Sequence, residues 1–91
     1  VSFRIGQSYP NPVSRSVDVR FIFDVAITAE LPLRLRLFDR LGRHVTTIFE
    51  KRFHPGSHRF TWSPGGLSPG VYFYRLSSGK ETVTGRMTVL P

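Results

Sequence analysis

The stretch Val17-Asp18-Val19-Arg20-Phe21-Ile22-Phe23-Asp24 decides the fold of this chain. Its odd positions are all apolar, whereas three of its four even positions are charged. Because successive side chains of a β-strand point to opposite faces, this alternation predicts a strand that buries Val17, Val19, Phe21 and Phe23 and exposes the charges. A half-buried strand of this kind is typical of antiparallel sheets.

The same alternation recurs in later segments. Leu31-Pro32-Leu33-Arg34-Leu35-Arg36-Leu37 places leucines on one face and two arginines on the other. Further strands are predicted at 43–49, 58–62, 71–76 and 82–90, and no segment has a helical period. With turn signals about every eight to twelve residues, the pattern predicts an all-β fold, an immunoglobulin-like antiparallel β-sandwich of about seven strands. A small barrel is the less favoured alternative.

Turn-forming residues separate these strands. In Asp39-Arg40-Leu41-Gly42-Arg43, Asp39 favours the first position of a type I turn and Gly42 supplies a positive φ. The turn predicts a hairpin between strands 33–39 and 43–49. Three further connections are predicted: a second hairpin turn at 53–57, an irregular loop at 63–70 and a last turn at 77–80.

Length and composition set limits on the class of protein. A chain of 91 residues predicts one domain over residues 1–91, with residues 1–16 as an extended and loosely attached N-terminal arm. The absence of cysteine gives no evidence about the compartment. No apolar run is long enough to span a membrane and no signal peptide opens the chain. If the parent protein is exported, its leader is expected upstream.

The net charge is strongly positive. Eleven Arg and two Lys stand against six acidic residues, which gives +7. Such an excess favours an anionic partner such as nucleic acid, acidic polysaccharide, lipopolysaccharide or a lipid head group. The alternative is that the arginines simply cover solvated strand faces, because they are scattered singly.

Residues capable of catalysis are also scattered. The carboxylates are each isolated in the sequence: Asp18, Asp24, Glu30, Asp39, Glu50 and Glu81. His54 and His58 stand four apart, but no third metal ligand is evident. No serine lies in a nucleophile elbow, and there is no cysteine nucleophile. We therefore predict a non-enzyme that holds neither metal nor cofactor.

Four motifs carry a resemblance to a known family. They are Tyr9–Pro12, Leu37–Val45, Gly56–Trp62 and Leu67–Leu76. In this order and at this spacing they resemble the C-terminal sorting domain of the type IX secretion system. Those domains are in turn similar to the immunoglobulin-like domain of the flagellar hook-capping protein. The resemblance covers Gln7–Leu90.

The resemblance implies a role in export. Such domains lie at the C-terminus of large exported proteins, often glycoside hydrolases, proteases or adhesins, and direct them across the outer membrane of certain Gram-negative bacteria. It implies partners in the secretion and anchoring machinery, catalytic or adhesive domains upstream, and a final location at the cell surface, the outer membrane or outside the cell. An end at Leu90-Pro91, directly after the last strand, fits this terminal position.

The expected mode of recognition is docking of the final hairpin. We expect the export apparatus to contact Gly70, Val71, Tyr72, Lys80 and Arg86. Addition of a partner strand to a sheet edge is one plausible mode.

The other motif residues are expected to serve the architecture. They are Pro10, Asn11, Pro12, Asp39, Gly42 and Trp62. The two prolines predict an extended segment lying against a sheet edge. Asn11 is expected to hold this segment in a turn through local backbone hydrogen bonds. Trp62 and Tyr72 are expected to fill the core, with their polar atoms satisfied at its rim.

Two other functions remain open. A carbohydrate-binding module would need exposed coplanar aromatics, for which the candidates are Phe38, Phe49, Phe73 and Tyr74. A single-strand nucleic-acid platform would need aromatics among basic residues, and Arg34, Arg36, Phe38 and Arg40 come closest. Because no nucleic-acid motif is present, nucleic acid is not the expected partner.

Overall fold

A computed structural model of the chain describes residues 3–26 and 30–91. Within these ranges the regular structure consists of strands: β1 (Phe3–Ile5), β2 (Val19–Val25), β3 (Leu31–Asp39), β4 (His44–Phe53), β5 (Gly56–Trp62), β6 (Gly70–Ser78) and β7 (Glu81–Val89). They form two antiparallel sheets, ordered β1-β2-β5 and β4-β3-β6-β7. The predicted all-β sandwich is confirmed.

The core lies between the two sheets and is rich in aromatic rings. Phe21 of β2 meets Tyr74 of β6 edge to face, with ring centroids 5.1 Å apart. Phe23 of β2 packs in the same way against Phe53 of β4, at 4.9 Å. These inward positions follow the period of two, because each sheet buries only one face.

The start of β2 departs from the sequence prediction. Val17 was expected to face the core, but β2 begins at Val19 and Val17 is 43% exposed. The backbone N–H of Val17 donates to the carbonyl of Ser14, which closes a turn before the strand. The alternating pattern in the sequence therefore starts two residues before the strand itself begins.

The second predicted hairpin, at 53–57, is also wrong. β4 pairs with β3, whereas β5 pairs with β2, so the chain crosses from one sheet to the other at this point. Gly56 does adopt the positive φ of a turn, at 121°. Turn residues predict a reversal of the chain, but they do not determine which sheet receives the next strand.

The described part of the N-terminal arm is attached to both sheets rather than loose. Ser8 and Val13 are almost fully buried. The N–H of Val13 donates to Thr88 O at 2.9 Å, and Leu90 N–H donates to Val13 O at 2.8 Å. Val13 thus lies on the outer edge of β7, which agrees with the sheet-edge position expected from Pro10 and Pro12.

Tyr74 joins the arm to the core. Its ring lies over Gly85, its partner on β7, at a distance that leaves no room for a Cβ atom. Its hydroxyl accepts the N–H of Ser8 at 3.1 Å and donates to Gly6 O at 3.3 Å. One buried side chain therefore connects both sheets and the arm.

Candidate docking site

The turn between β3 and β4 is held by Asp39. Its Oδ1 accepts the backbone N–H groups of Leu41 and Arg43, at 2.9 and 3.0 Å, and its Oδ2 accepts Arg43 Nε at 2.8 Å. Gly42 closes the turn with a φ of 82°, which a residue with a Cβ atom rarely adopts. This geometry leaves the Leu41 side chain 70% exposed at the tip.

Hydrogen bonding makes the turn sensitive to acid. The backbone N–H of Arg43, followed by its guanidinium and the N–H of Leu41, holds the pKa of the Asp39 carboxyl below its usual value of 3.8. A carboxyl whose pKa is lower in the folded state stabilises the fold above its unfolded pKa, and this contribution is lost as the pH falls through the folded pKa.

We therefore expect the Asp39→Asn variant to be less stable than the wild type near neutral pH. The difference should shrink as the pH falls below about 3.8, because the wild-type carboxyl then becomes protonated and loses its charge. Thermal unfolding of both proteins across a pH series measures this difference. A difference that stays constant down to the acid limit of folding would contradict the assigned role of the Asp39 charge.

A second element, the start of β6, lies beside this turn. Gly70 opens the strand with a φ of 148°. The preceding loop closes on itself, because Leu67 N–H donates to Pro64 O at 2.9 Å. Tyr72 is buried, and its hydroxyl donates to Ser68 O at 2.6 Å. The expected core position of Tyr72, with its polar atom satisfied at the rim, is thus confirmed.

The turn and the start of β6 enclose a cleft of about 690 Å³. Leu41 and Val45, both exposed apolar residues, line it together with Arg40 and Arg43. Its remaining lining includes Asp39 and the segment from Gly66 to Tyr72. The cleft therefore combines apolar surface with basic groups.

The arm motif reaches the same end of the sandwich. Asn11 Nδ2 donates to Arg86 O at 3.2 Å, and Thr88 N–H donates to Asn11 Oδ1 at 2.9 Å. Asn11 thus bonds β7 rather than its own local backbone, which corrects the sequence expectation. Residues 10–12 form a bend rather than an extended run, which turns the amide toward the sheet edge.

These segments define what we call the motif end: residues 11–13, 39–42 and 62–70. Val89 pairs with Gly70, and Tyr72 pairs with Asp39, so the segments meet at one end of the four-stranded sheet. Trp62 ends β5 just before the 63–70 loop; it is half-buried against the core rather than filling it.

The predicted recognition residues lie in three places. Gly70, Val71 and Tyr72 line the cleft. Arg86 is exposed on β7, and its carbonyl receives the arm amides. Lys80 lies at the tip of the hairpin, about 27 Å away along a nine-residue strand. The structure therefore does not bring Lys80 together with the cleft residues.

Sequence reasoning missed Leu41 and Val45 as candidate docking residues. Both are apolar and exposed, at 70% and 38%. The signal was present, because a leucine in the middle of a polar turn has no partner in the core. The sequence pattern assigns this turn a role in the architecture alone, because Asp39 and Gly42 are typical turn residues.

The residues considered for sugar binding and for nucleic-acid binding lie in different parts of the structure. Two candidate sugar-binding aromatics, Phe49 and Tyr74, are buried in the core and cannot contact a ligand. Phe38 and Phe73 are half-buried on the outer face of the four-stranded sheet, directly opposite each other. The proposed nucleic-acid set is split as well, because Arg40 lies in the turn rather than on this face.

Other functional features were sought in residues 3–26 and 30–91. No group of three or more His, Cys, Asp or Glu side chains there could hold a metal ion. His58 Nε2 donates to His54 O at 2.7 Å, and His54 lies 3.4 Å from Glu30. The same ranges contain no helix long and apolar enough to cross a membrane.

Comparison with known families identifies the chain. The profile of the secretion system C-terminal sorting domain matches residues 7–90, which is nearly the whole length and includes all four motifs. No sequence among curated proteins matches the chain. Sorting domains of this family are non-catalytic signal modules. The chain therefore belongs to the family of type IX C-terminal sorting domains, the signals that direct proteins for export toward the cell surface.

Proposed function

We propose that this chain directs a larger protein across the outer membrane of a Gram-negative bacterium and onto the cell surface by docking its motif end to the export and anchoring machinery. The observation that carries the proposal is the convergence of residues 11–13, 39–42 and 62–70 at one end of the sandwich. Antiparallel pairing of β3, β6 and β7 brings these segments, which are far apart in the chain, to one surface.

The cleft supplies the chemistry for docking. Leu41 and Val45 offer apolar surface that a partner can bury, at about 25 cal/mol per Å² of apolar area. Arg40 and Arg43 flank this surface, and Arg43 is already paired with Asp39. A partner segment with apolar side chains beside a carboxylate is complementary to such a site.

The arm limits where a partner strand can be added. Along β7, the carbonyl of Arg86 and both backbone groups of Thr88 are bonded to Gln7, Asn11 and Val13. A partner strand is therefore not added along this part of the edge. In this proposal the cleft, rather than β7, makes the first contact.

The domain itself carries out no chemistry in this proposal. Catalytic or adhesive activity is supplied by domains upstream in the same polypeptide, and this chain acts as the signal for their export. Carbohydrate binding as the main function is not favoured, because Phe49 and Tyr74 are removed from the surface.

We expect the Leu41→Asp variant to abolish most surface delivery of a fused reporter. The new carboxylate is desolvated on docking and competes with the partner's carboxylate for Arg40 and Arg43, which should reduce delivery about tenfold or more. The measurement is reporter fluorescence on intact cells of a host that carries a type IX secretion system. Reporter fused to the chain truncated after Ser78, which lacks the whole of β7, gives the background.

The matched control is Val17→Asp, which places the same charge on another exposed aliphatic residue outside the cleft. It should deliver the reporter at close to the wild-type level. Thermal unfolding of both purified variants shows whether they are equally folded. Normal delivery by a folded Leu41→Asp variant would refute docking through the cleft.

A further inference from the structure

The outer face of the four-stranded sheet carries a concentrated positive charge. Arg34 and Arg36 of β3, Arg75 of β6 and Arg86 of β7 share this face, because they alternate with the buried residues of their strands. We call these four residues the arginine face. Along β3 the two arginines are about 7 Å apart, as expected for every second residue of a strand.

The clustering of arginines on this face lowers the stability of the domain when nothing is bound to it. Arg36 and Arg75 lie directly opposite each other on neighbouring strands. Like charges in this position destabilise a sheet. Burial, and then the charges of Arg34 and Arg75, lower the pKa of the Arg36 guanidinium from its usual value. The Glu50 carboxylate lies 3.6 Å from the Arg34 guanidinium, and both side chains are largely exposed.

Two buried polar atoms on this face lack a partner among the described residues. They are Arg36 Nε and Ser77 Oγ. Ser77 pairs with Arg34 across the strands, so it lies diagonally from Arg36. Neighbouring groups shield both atoms from solvent, so their missing hydrogen bonds add to the cost of this arrangement.

A small depression lies next to these residues. It holds about 190 Å³ and is lined by Arg34, Glu50, Ser77 and the residues that lead into the hairpin tip. At roughly 30 Å³ for each water, this space admits one charged group with a few waters. Lys80 follows Gly79 directly and adds a further positive charge at this edge.

We infer that the arginine face binds an anionic polysaccharide, with Arg36 and Arg75 contacting its carboxylate or phosphate groups. The inference rests on the proposed function, because export brings the domain to the outer surface of the cell, where the abundant polyanions are glycans. A polymer with repeated charges matches cations spaced along a flat sheet. The domain would then contact the cell surface through a site distinct from the motif end.

The same face is poorly suited to bind nucleic acid. Base stacking needs an open aromatic ring. Phe38 is covered by two guanidinium groups, with Arg75 Cζ 4.5 Å and Arg36 Cζ 5.4 Å from the ring centroid. Trp62 belongs to the other sheet. The Phe38 ring therefore offers no open face on which a base could stack.

The test is affinity electrophoresis of the purified chain in gels that contain polygalacturonate, phosphomannan, neutral dextran or single-stranded poly(dT). We expect retardation by the two acidic glycans, weakened by salt, and none by dextran. The Arg36→Gln/Arg75→Gln variant should lose about tenfold or more in affinity. Its melting temperature should stay close to that of the wild type, because the substitution removes a like-charge pair together with the guanidinium contacts to the Phe38 ring.

The control is Arg4→Gln/Arg59→Gln, which removes the same charge from exposed positions of the other sheet. It should bind the acidic glycans within about twofold of the wild type. Equal losses in both variants would mean that net charge alone is responsible and would overturn the site. So would an absence of glycan binding, or tighter binding to poly(dT). Surface delivery by the Leu41→Asp variant is measured in a separate experiment. A failure to bind acidic glycans would therefore overturn the arginine face as a binding site without deciding whether the cleft docks to the export machinery.

Discussion

The Phe21→Ala variant should lose about 3–5 kcal/mol of its free energy of unfolding. Phe21 is fully buried and packs edge to face against Tyr74 of the opposite sheet. Truncation leaves a cavity where the two layers meet, and surrounding strands cannot collapse to fill it. For a domain of this size the loss is a large share of the total stability, which is about 5–14 kcal/mol. Urea unfolding followed by tryptophan fluorescence measures it.

The control is Ile22→Ala, one residue along the same strand. Ile22 is half-buried and belongs to the outer face of its sheet, so its truncation should cost less than about 1.5 kcal/mol. Equal losses at Phe21 and Ile22 would contradict the assignment of inner and outer faces.

The second large effect is expected at Gly85, where substitution by alanine should destabilise the fold by about 3 kcal/mol. Alanine normally stabilises a strand by about 0.5–1 kcal/mol relative to glycine. The effect expected at Gly85 therefore has the opposite sign. The new Cβ atom would overlap the ring of Tyr74, which is fully buried and has no free space to enter. Displacing the ring costs overpacking energy and breaks the hydroxyl contacts to Ser8 and Gly6.

Gly66→Ala is the matched control for this prediction. A Cβ atom there meets nothing within 4 Å, and the glycine does not need a positive φ. We expect a change within about 0.5 kcal/mol, measured by the same urea titration. A Gly85→Ala protein as stable as Gly66→Ala would show that the Tyr74 ring does not occupy the space over β7.

Much of the fold could be predicted from the alternation of side chains. The residues Phe21, Leu35 and Tyr72 are buried because each occupies the inward position of a half-buried strand. The Asp39–Gly42 turn could also be predicted, because Asp39 and Gly42 each act on the backbone close to them. Local rules therefore determined the strands and the tight turns.

Contacts distant in sequence were harder to predict. The crossing between β4 and β5 depends on which sheet has a free edge, and no turn residue encodes that choice. Asn11 looked like a residue that caps its own turn, yet its amide bonds β7, some 75 residues away. The close approach of Tyr74 to Gly85 likewise depends on strand register, which the isolated glycine did not reveal.

The docking site was predicted only in part. Gly70 and Tyr72 came from the family motif, and the structure places them in the cleft. The exposed apolar residue Leu41 is the addition, because its lack of a core partner became visible only once the layers were assembled. The arginine face was anticipated as scattered charge, but its opposed pair Arg36 and Arg75 requires the register of β3 and β6.

The central claim is that separated motifs meet at one end of a two-layer sandwich. A nuclear Overhauser spectrum of the labelled chain tests this most directly, because it reports contacts between protons regardless of their separation in sequence. We expect cross-peaks between the rings of Phe21 and Tyr74, and between the side-chain amide of Asn11 and the backbone amide of Thr88. A folded protein that lacks both sets of cross-peaks would contradict the layered arrangement and the motif end together.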